Sequence, residues 1–280
     1  MSTSTTTTSP HTVIKPREGW QLIDFRELFA YRDLFYFLVW RDVKVRYAQS
    51  VLGVGWAVIQ PVFGMIIFTI IFGRLAHLDS DGVPYAIFSF TALVPWAYFS
   101  NAMTDSSTSL VINADMIQKI YFPRLIIPLT SILAKLVDFT IAFALLLLMM
   151  PFFKIIPTAN IIFVPYLILL MTLTAAGIGM WLTALAIQFR DVRYGLNFGV
   201  QLLMYASPVV YSIGLIPENL RIYYALNPLV GVIEGFRASL LGTSSMPWSY
   251  IGVGSIVAVL LFITGALYFR RMEKIFADVA

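Results

Sequence analysis

The chain of 280 residues has no cysteine and only two histidines, His11 and His77. Without cysteine there are no disulfides and no thiolate metal sites, while the compartment stays open. The two histidines fall in a polar N-terminal stretch and an expected loop, a poor basis for acid–base catalysis. Charge is scarce as well. Asp, Glu, Lys and Arg make up 12% of the residues against 59% hydrophobic ones, too few to cover a soluble domain of this length. No HExxH or GxSxG motif occurs, and no carboxylates stand at metal-ligand spacing. Asp79 and Asp81 beside Gly82 read as an exposed turn. There is no Walker phosphate loop, so the chain is not expected to hydrolyse ATP alone. We expect no catalytic residue, no metal and no cofactor in this chain.

What the sequence does have is long uncharged runs. None of Tyr47 to Gly73 is charged, and four further gaps of similar or greater length follow; about 18 apolar residues already mark a membrane span. The fold class read from this pattern is an all-α polytopic membrane protein with six transmembrane helices. They are placed at 51–73, 84–104, 125–150, 160–187, 195–216 and 248–269. Residues 1–18 are expected to form a disordered tail, 19–50 an interfacial and lead-in helix, and 51–274 the six-span domain.

The cations sort by loop. Lys15, Arg17, Arg26, Arg32, Arg41, Lys44 and Arg46 precede the first span. Lys119 and Arg124 follow the second, Arg190 and Arg193 the fourth, and Arg270, Arg271 and Lys274 the last. The alternate loops hold Arg74, Lys154, Arg221 and Arg237. The positive-inside rule therefore places both termini in the cytoplasm. Membrane orientation accounts for the net charge of +4 better than nucleic-acid binding does. Ahead of the first span, Leu22, Phe25, Leu28 and Phe29 fall at helical spacing, with Asp24, Glu27 and Arg32 pointing elsewhere. That suits an amphipathic helix in the membrane interface, or one packed on a soluble partner.

Polarity inside the apolar runs is the next signal. Lys135 and Asp138 share a helix face on the third span. At ~1.5 Å per residue Lys135 lies roughly 15 Å deep. Each charge alone costs about 2.5–3.5 kcal/mol on insertion scales, so a partner or a wet cavity is required. A locking ion pair and a proton or substrate relay both satisfy that demand. Three polar and aromatic stripes accompany the pair: Trp56, Gln60 and Phe63; Tyr98, Asn101 and Asp105; Tyr194, Asn197, Gln201, Tyr205 and Ser212. Helix–helix hydrogen bonds explain them, and so does a conduit. Amides mixed with flat rings suit sugars, whose hydroxyls meet amides and whose C–H faces meet aromatic rings.

The stretch "IPENLRIYYALNPLVGVIEGFRASLLGTSSMPW" is too broken by Pro217, Pro228 and Gly231 to span, yet too apolar for an ordinary loop. Two short helices dipping into the outer leaflet and returning would fit. Tyr223, Tyr224, Asn227, Glu234 and Arg237 would then form an outer gate, Glu234 and Arg237 pairing across one turn. In "TSLVINADMIQKIYFPR", Asn113 can cap a short helix starting at Ala114. Asp115 would sit near its positive end, and Pro123 would stop it.

Taken in order, these segments are similar to a known family. "LVWRDVKVRYAQSVLGVGWAVIQP", "SLVINADMIQKIYFPRLIIP", "SPVVYS" and "YYALNPLVGVIEGFRASLLG" resemble the permease subunits of type-2 ABC exporters for polysaccharides and polyol phosphates. These are the O-antigen, capsule and teichoic-acid permeases, and the likeness runs from about Gly19 onward. It implies a homodimer in the bacterial inner membrane, bound to two cytoplasmic ATPase subunits that hold ATP and Mg. It also implies a lateral opening between the first and fifth spans for a lipid-linked glycan. On that reading Asn113, Asp115, Lys119 and Tyr121 couple to the ATPase. Arg41, Lys44 and Arg46 meet the lipid head group, and Trp56, Gln60, Phe63, Tyr98, Asn101, Asn197, Gln201 and Tyr205 line the conduit. The alternative is a secondary transporter or channel using Lys135 and Asp138. Such a protein would show internal repeats or broken ion-binding helices, and the sequence shows no repeat. A membrane glycosyltransferase would need carboxylates that the cytoplasmic segments do not present.

Overall fold

The computed structural model describes residues 25–48, 53–189 and 191–273, with side chains from Leu28 onward. The expected tail at 1–18, together with Leu22, Asp24, Arg190 and Lys274, lies outside them, as do the side chains of Phe25, Arg26 and Glu27. Among the described residues all regular structure is helical. The helices are α1 (Phe25–Ala30), α2 (Arg32–Ala48), α3 (Gly55–Phe68), α4 (Tyr85–Ile112), α5 (Ala114–Lys119) and α6 (Ile126–Met149). They continue as α7 (Val164–Gln188), α8 (Asp191–Tyr205), α9 (Glu218–Tyr224), α10 (Pro228–Leu240) and α11 (Trp248–Glu273). Beyond Phe68, α3 runs on as a π-helix over Thr69–Leu75.

Four segments are long and apolar enough to cross a membrane: Gly55–Leu75, Ile126–Phe153, Ala159–Gln188 and Trp248–Glu273. The other two expected spans differ for physical reasons. Helix α4 has the length, but its second half reads NAMTDSSTS, too polar to qualify by composition. Helix α8 stops at Tyr205, not at 216. Pro208 disfavours helix in the residue before it, and between there and α9 the chain forms only a short 3-10 turn at Ile213–Leu215.

Two buried apolar clusters hold the helices. The larger joins α4, α6, α7 and α10 around Phe88, Phe90, Phe99 and Phe236, none of them exposed. The smaller gathers Leu38 of α2, Leu110 of α4, Phe122, Ile126, Met180 of α7 and Phe269 of α11. It lies at the end of the molecule that carries α5. Lipid tails are as apolar as these side chains, so close fit rather than escape from water binds them. Helices α7 and α11 show that fit. A Cβ on Gly177 would lie 2.6 Å from the backbone nitrogen of Phe262, and Gly265 is closed in by Gly177 and Trp181. Helix α10 is buried along its whole length, Pro228 to Leu240.

A candidate conduit and two charge clusters

A cavity of about 390 Å³ opens between α3, α4 and α6. Trp56 and Gln60 of α3, Tyr98 and Asn101 of α4, and Lys135 and Asp138 of α6 all line it. Arg46 and Tyr47 reach in from α2, and Met204 touches it from α8. It therefore brings together four of the eight expected conduit residues. Tyr98 is held in place, its hydroxyl donating to Thr172 at 3.1 Å and its ring edge-on to Phe139. Phe63, Asn197, Gln201 and Tyr205 do not line this space; they are exposed on the outer faces of α3 and α8. Ser212 leaves the α8 stripe altogether, because the helix has ended, and its hydroxyl donates to Asp81 at 2.7 Å.

The charges on the cavity wall form a network larger than the expected pair. Lys135 lies 2.7 Å from Asp105 and 3.9 Å from Asp138. Asp138 accepts from Arg46 at 2.7 Å and from the Tyr47 hydroxyl, and Arg46 reaches Asp105 at 3.2 Å. Two cations thus neutralise two anions, and α2 is cross-linked to α4 and α6. The sequence reading missed Arg46, Tyr47 and Asp105 as partners, since they stand 92, 91 and 30 positions or so from theirs. The only available signal was that each intramembrane carboxylate requires a cation.

Arg41 has internal partners too. It bonds Asp42 at 2.8 Å and the Asn113 side-chain oxygen at 2.9 Å. That contact overturns the expected cap. The Asn113 side chain makes no capping bond to α5; its oxygen serves Arg41 and its amide donates to Ser109 O. The first amides of the turn use the Asn113 backbone carbonyl instead. Asp115, Lys119 and Tyr121 are exposed along or just after α5. Of the three expected head-group cations only Lys44 is exposed, its ammonium 4.6 Å from the Trp40 ring.

At the opposite end, Glu234 and Arg237 pair at 2.8 Å, and Arg237 has no exposed surface. Its guanidinium stacks 3.6 Å from the centre of the Phe88 ring and donates to the carbonyls of Val209 and Tyr211. Asn227 caps α10 through Leu229 N and donates to Ser207 Oγ at 2.8 Å. Tyr224 shares a 2.6 Å hydroxyl contact with Tyr211, and Tyr223 is exposed. Four of the five expected outer-gate residues therefore hold the chain around the break after α8.

Comparison with known proteins decides the family. Residues 33–241 match the ABC-2 type transporter family. The chain belongs to it. Among ABC-2 proteins it is 26% identical over 248 residues to the O-antigen export system permease protein RfbA of Klebsiella pneumoniae. That match covers 88% of this chain and 95% of the relative. The RfbA of Myxococcus xanthus is 26% identical over 253 residues, covering 89% and 96%. The polysialic acid transport protein KpsM of Escherichia coli is 25% identical over 244 residues, covering 83% and 91%. Among these ABC-2 relatives the two RfbA proteins are named permeases and KpsM a transport protein.

Proposed function

We propose that this chain is the permease subunit of an ATP-driven exporter that moves a lipid-linked polysaccharide, O-antigen-like, capsular or teichoic, out across the bacterial inner membrane. The observation that carries this reading is the end-to-end likeness to O-antigen export permeases, over 95% of the relative's own length. In this reading α4 and α8, with the irregular chain after it, complete six spans. Helices α9 and α10 are the re-entrant outer element, and both termini are cytoplasmic. The uncovered polar and aromatic rows of α3 and α8 support a second copy facing them across the conduit. The cavity on α3 and α4 offers Trp56, Gln60, Tyr98 and Asn101 to sugar faces and hydroxyls. Rings bind sugars loosely enough for a chain to slide, where a deep hydrogen-bonding pocket would hold one unit.

Two cytoplasmic ATPase subunits, which hold ATP and Mg, would press on α5 at Asp115, Lys119 and Tyr121. Arg41 ties α5 to α2, so a push there reaches the lead-in to α3. Among the head-group cations, Lys44 is free to meet a phosphate directly, whereas a phosphate at Arg46 competes with Asp105 and Asp138. The secondary-transporter reading needs Lys135 and Asp138 to exchange partners. Their short contacts run instead to Asp105, Arg46 and Tyr47, as a structural cross-link requires. The test is complementation of a strain lacking its own O-antigen permease, with surface glycan and ATPase co-purification as readouts. Restored glycan and a bound ATPase support the reading; transport in the absence of any ATPase overturns it.

A further inference from the structure

O-antigen-like, capsular and teichoic polymers differ in charge, and a passage for a polyanion needs cations free to receive it. The cavity between α3, α4 and α6 has none free. Lys135 lies 2.7 Å from Asp105, and Arg46 lies 2.7 Å from Asp138 and 3.2 Å from Asp105. Two positive charges thus meet two negative ones at contact distance. Of the four side chains Asp105 is the most exposed and Lys135 the least. A solute therefore meets a carboxylate before it meets the ammonium. No other residue of α3, α4 or α6 is charged. Helix α8, which touches the cavity through Met204, carries no charge from Tyr194 to Tyr205. Arg41, Lys44 and Arg193 do not line the space. What it offers besides the self-paired network is neutral: the amides of Gln60 and Asn101 and the rings of Trp56 and Tyr98.

We propose that this cavity selects glycans whose repeat units carry no net charge and disfavours polyanions such as sialic acid or polyol phosphate chains. The inference rests on the export reading and narrows its substrate class. A polyanion entering here sheds water from each carboxylate or phosphate without gaining a cation. To gain one it must break a bond of Arg46 or Lys135 and strand an aspartate. A neutral sugar meets neither cost. Its hydroxyls bond the amides, and its C–H faces lie on the rings.

The test is equilibrium dialysis of the wild-type full chain in phosphatidylcholine nanodiscs, with empty discs as the blank. The probes are a mannose oligomer, a sialic acid oligomer of the same length, and that second oligomer with its carboxylates methyl-esterified. The mannose oligomer should bind about tenfold tighter than the sialic acid oligomer, the order of one charged contact forgone. Esterification should recover most of the difference. Gln60 is exposed, so Gln60→Lys adds a cation without removing an ion pair. It should move the ratio about tenfold toward the sialic acid oligomer, and high salt should erase the move. Equal or tighter wild-type binding of the unesterified sialic acid oligomer overturns the proposal, as does binding of none of the three. A folded Gln60→Lys protein with an unmoved ratio overturns it too. Complementation of permease-deficient cells separates this from the export reading. Restored surface glycan with equal binding means that the charge preference fails and export stands. A measured preference without restored glycan means that export fails and the preference stands.

Discussion

Arg237 and Arg46 each hold an acidic partner inside an apolar molecule, yet they are built differently. Arg237 is sealed: it and Glu234 show 0% and 5% side-chain exposure, and its two terminal nitrogens also donate to the carbonyls of Tyr211 and Val209. Arg46 lies on a cavity wall, its side chain and those of Asp105 and Asp138 being 27%, 40% and 23% exposed. A sealed pair cannot exchange partners without leaving a charge bare, so it serves as a fixture. The partly exposed network of Arg46, Lys135, Asp105 and Asp138 shares its charges among several partners, so the loss of one contact leaves each cation another. The difference lies in burial and in the number of alternative partners, not in the chemistry of the pair.

The comparison is most strongly tested by removing one sealed charge. Arg237→Met should destabilise the protein by about 3–5 kcal/mol, because Glu234 is left buried without its cation. Thermal unfolding followed by gel filtration in detergent reads the loss, and Arg237→Met with Glu234→Leu should recover a good part of it. Next comes packing at the same end. A Cβ on Gly231 would lie 2.9 Å from Tyr250 O and 3.0 Å from the Ile251 backbone. Gly231→Ala should therefore cost about 1–3 kcal/mol by overpacking, in the same assay.

On the wet side the expected effect is smaller. Asp138→Asn leaves Arg46 and Lys135 with Asp105, so it should cost about 1.5 kcal/mol, the low end for a hydrogen bond to a charged group. The readout is faster hydrogen exchange at the end of α2, where the bonds of Arg46 and Tyr47 to Asp138 are weakened. The smallest effect should carry the opposite sign. Gly199 on α8 faces open space, so Gly199→Ala should stabilise by about 0.5–1 kcal/mol through helix propensity alone. A large loss there would mean that a surface covers α8 in the isolated protein.

The sequence made the local part of this arrangement legible. Glu234 and Arg237 stand one turn apart, so their pairing follows from helical spacing, and the uncharged runs announced the membrane class. What stayed hidden was set by contacts between distant segments. Arg46 meets Asp138 across 92 positions, and no periodicity encodes that meeting. Asn113 has the right side chain for a cap, but Arg41, 72 positions earlier, occupies its oxygen. The polar stripe of α8 was extended to Ser212 on a helix that Pro208 does not allow to continue. Periodicity grouped Trp56 with Gln60 and Tyr98 with Asn101, and all four line one cavity. It could not say that α8 would turn its own polar row away from that cavity.

The glycine contact between α7 and α11 has a consequence for the cell's energy supply. If the proposed export is correct, passage of a polymer must not short-circuit the ion gradients across the membrane. With Gly177 set against the Phe262 backbone, that seam has no room for a file of water, and hence none for a proton. A larger residue at 177 would pry open the insulated side and should register as uncoupled proton flux.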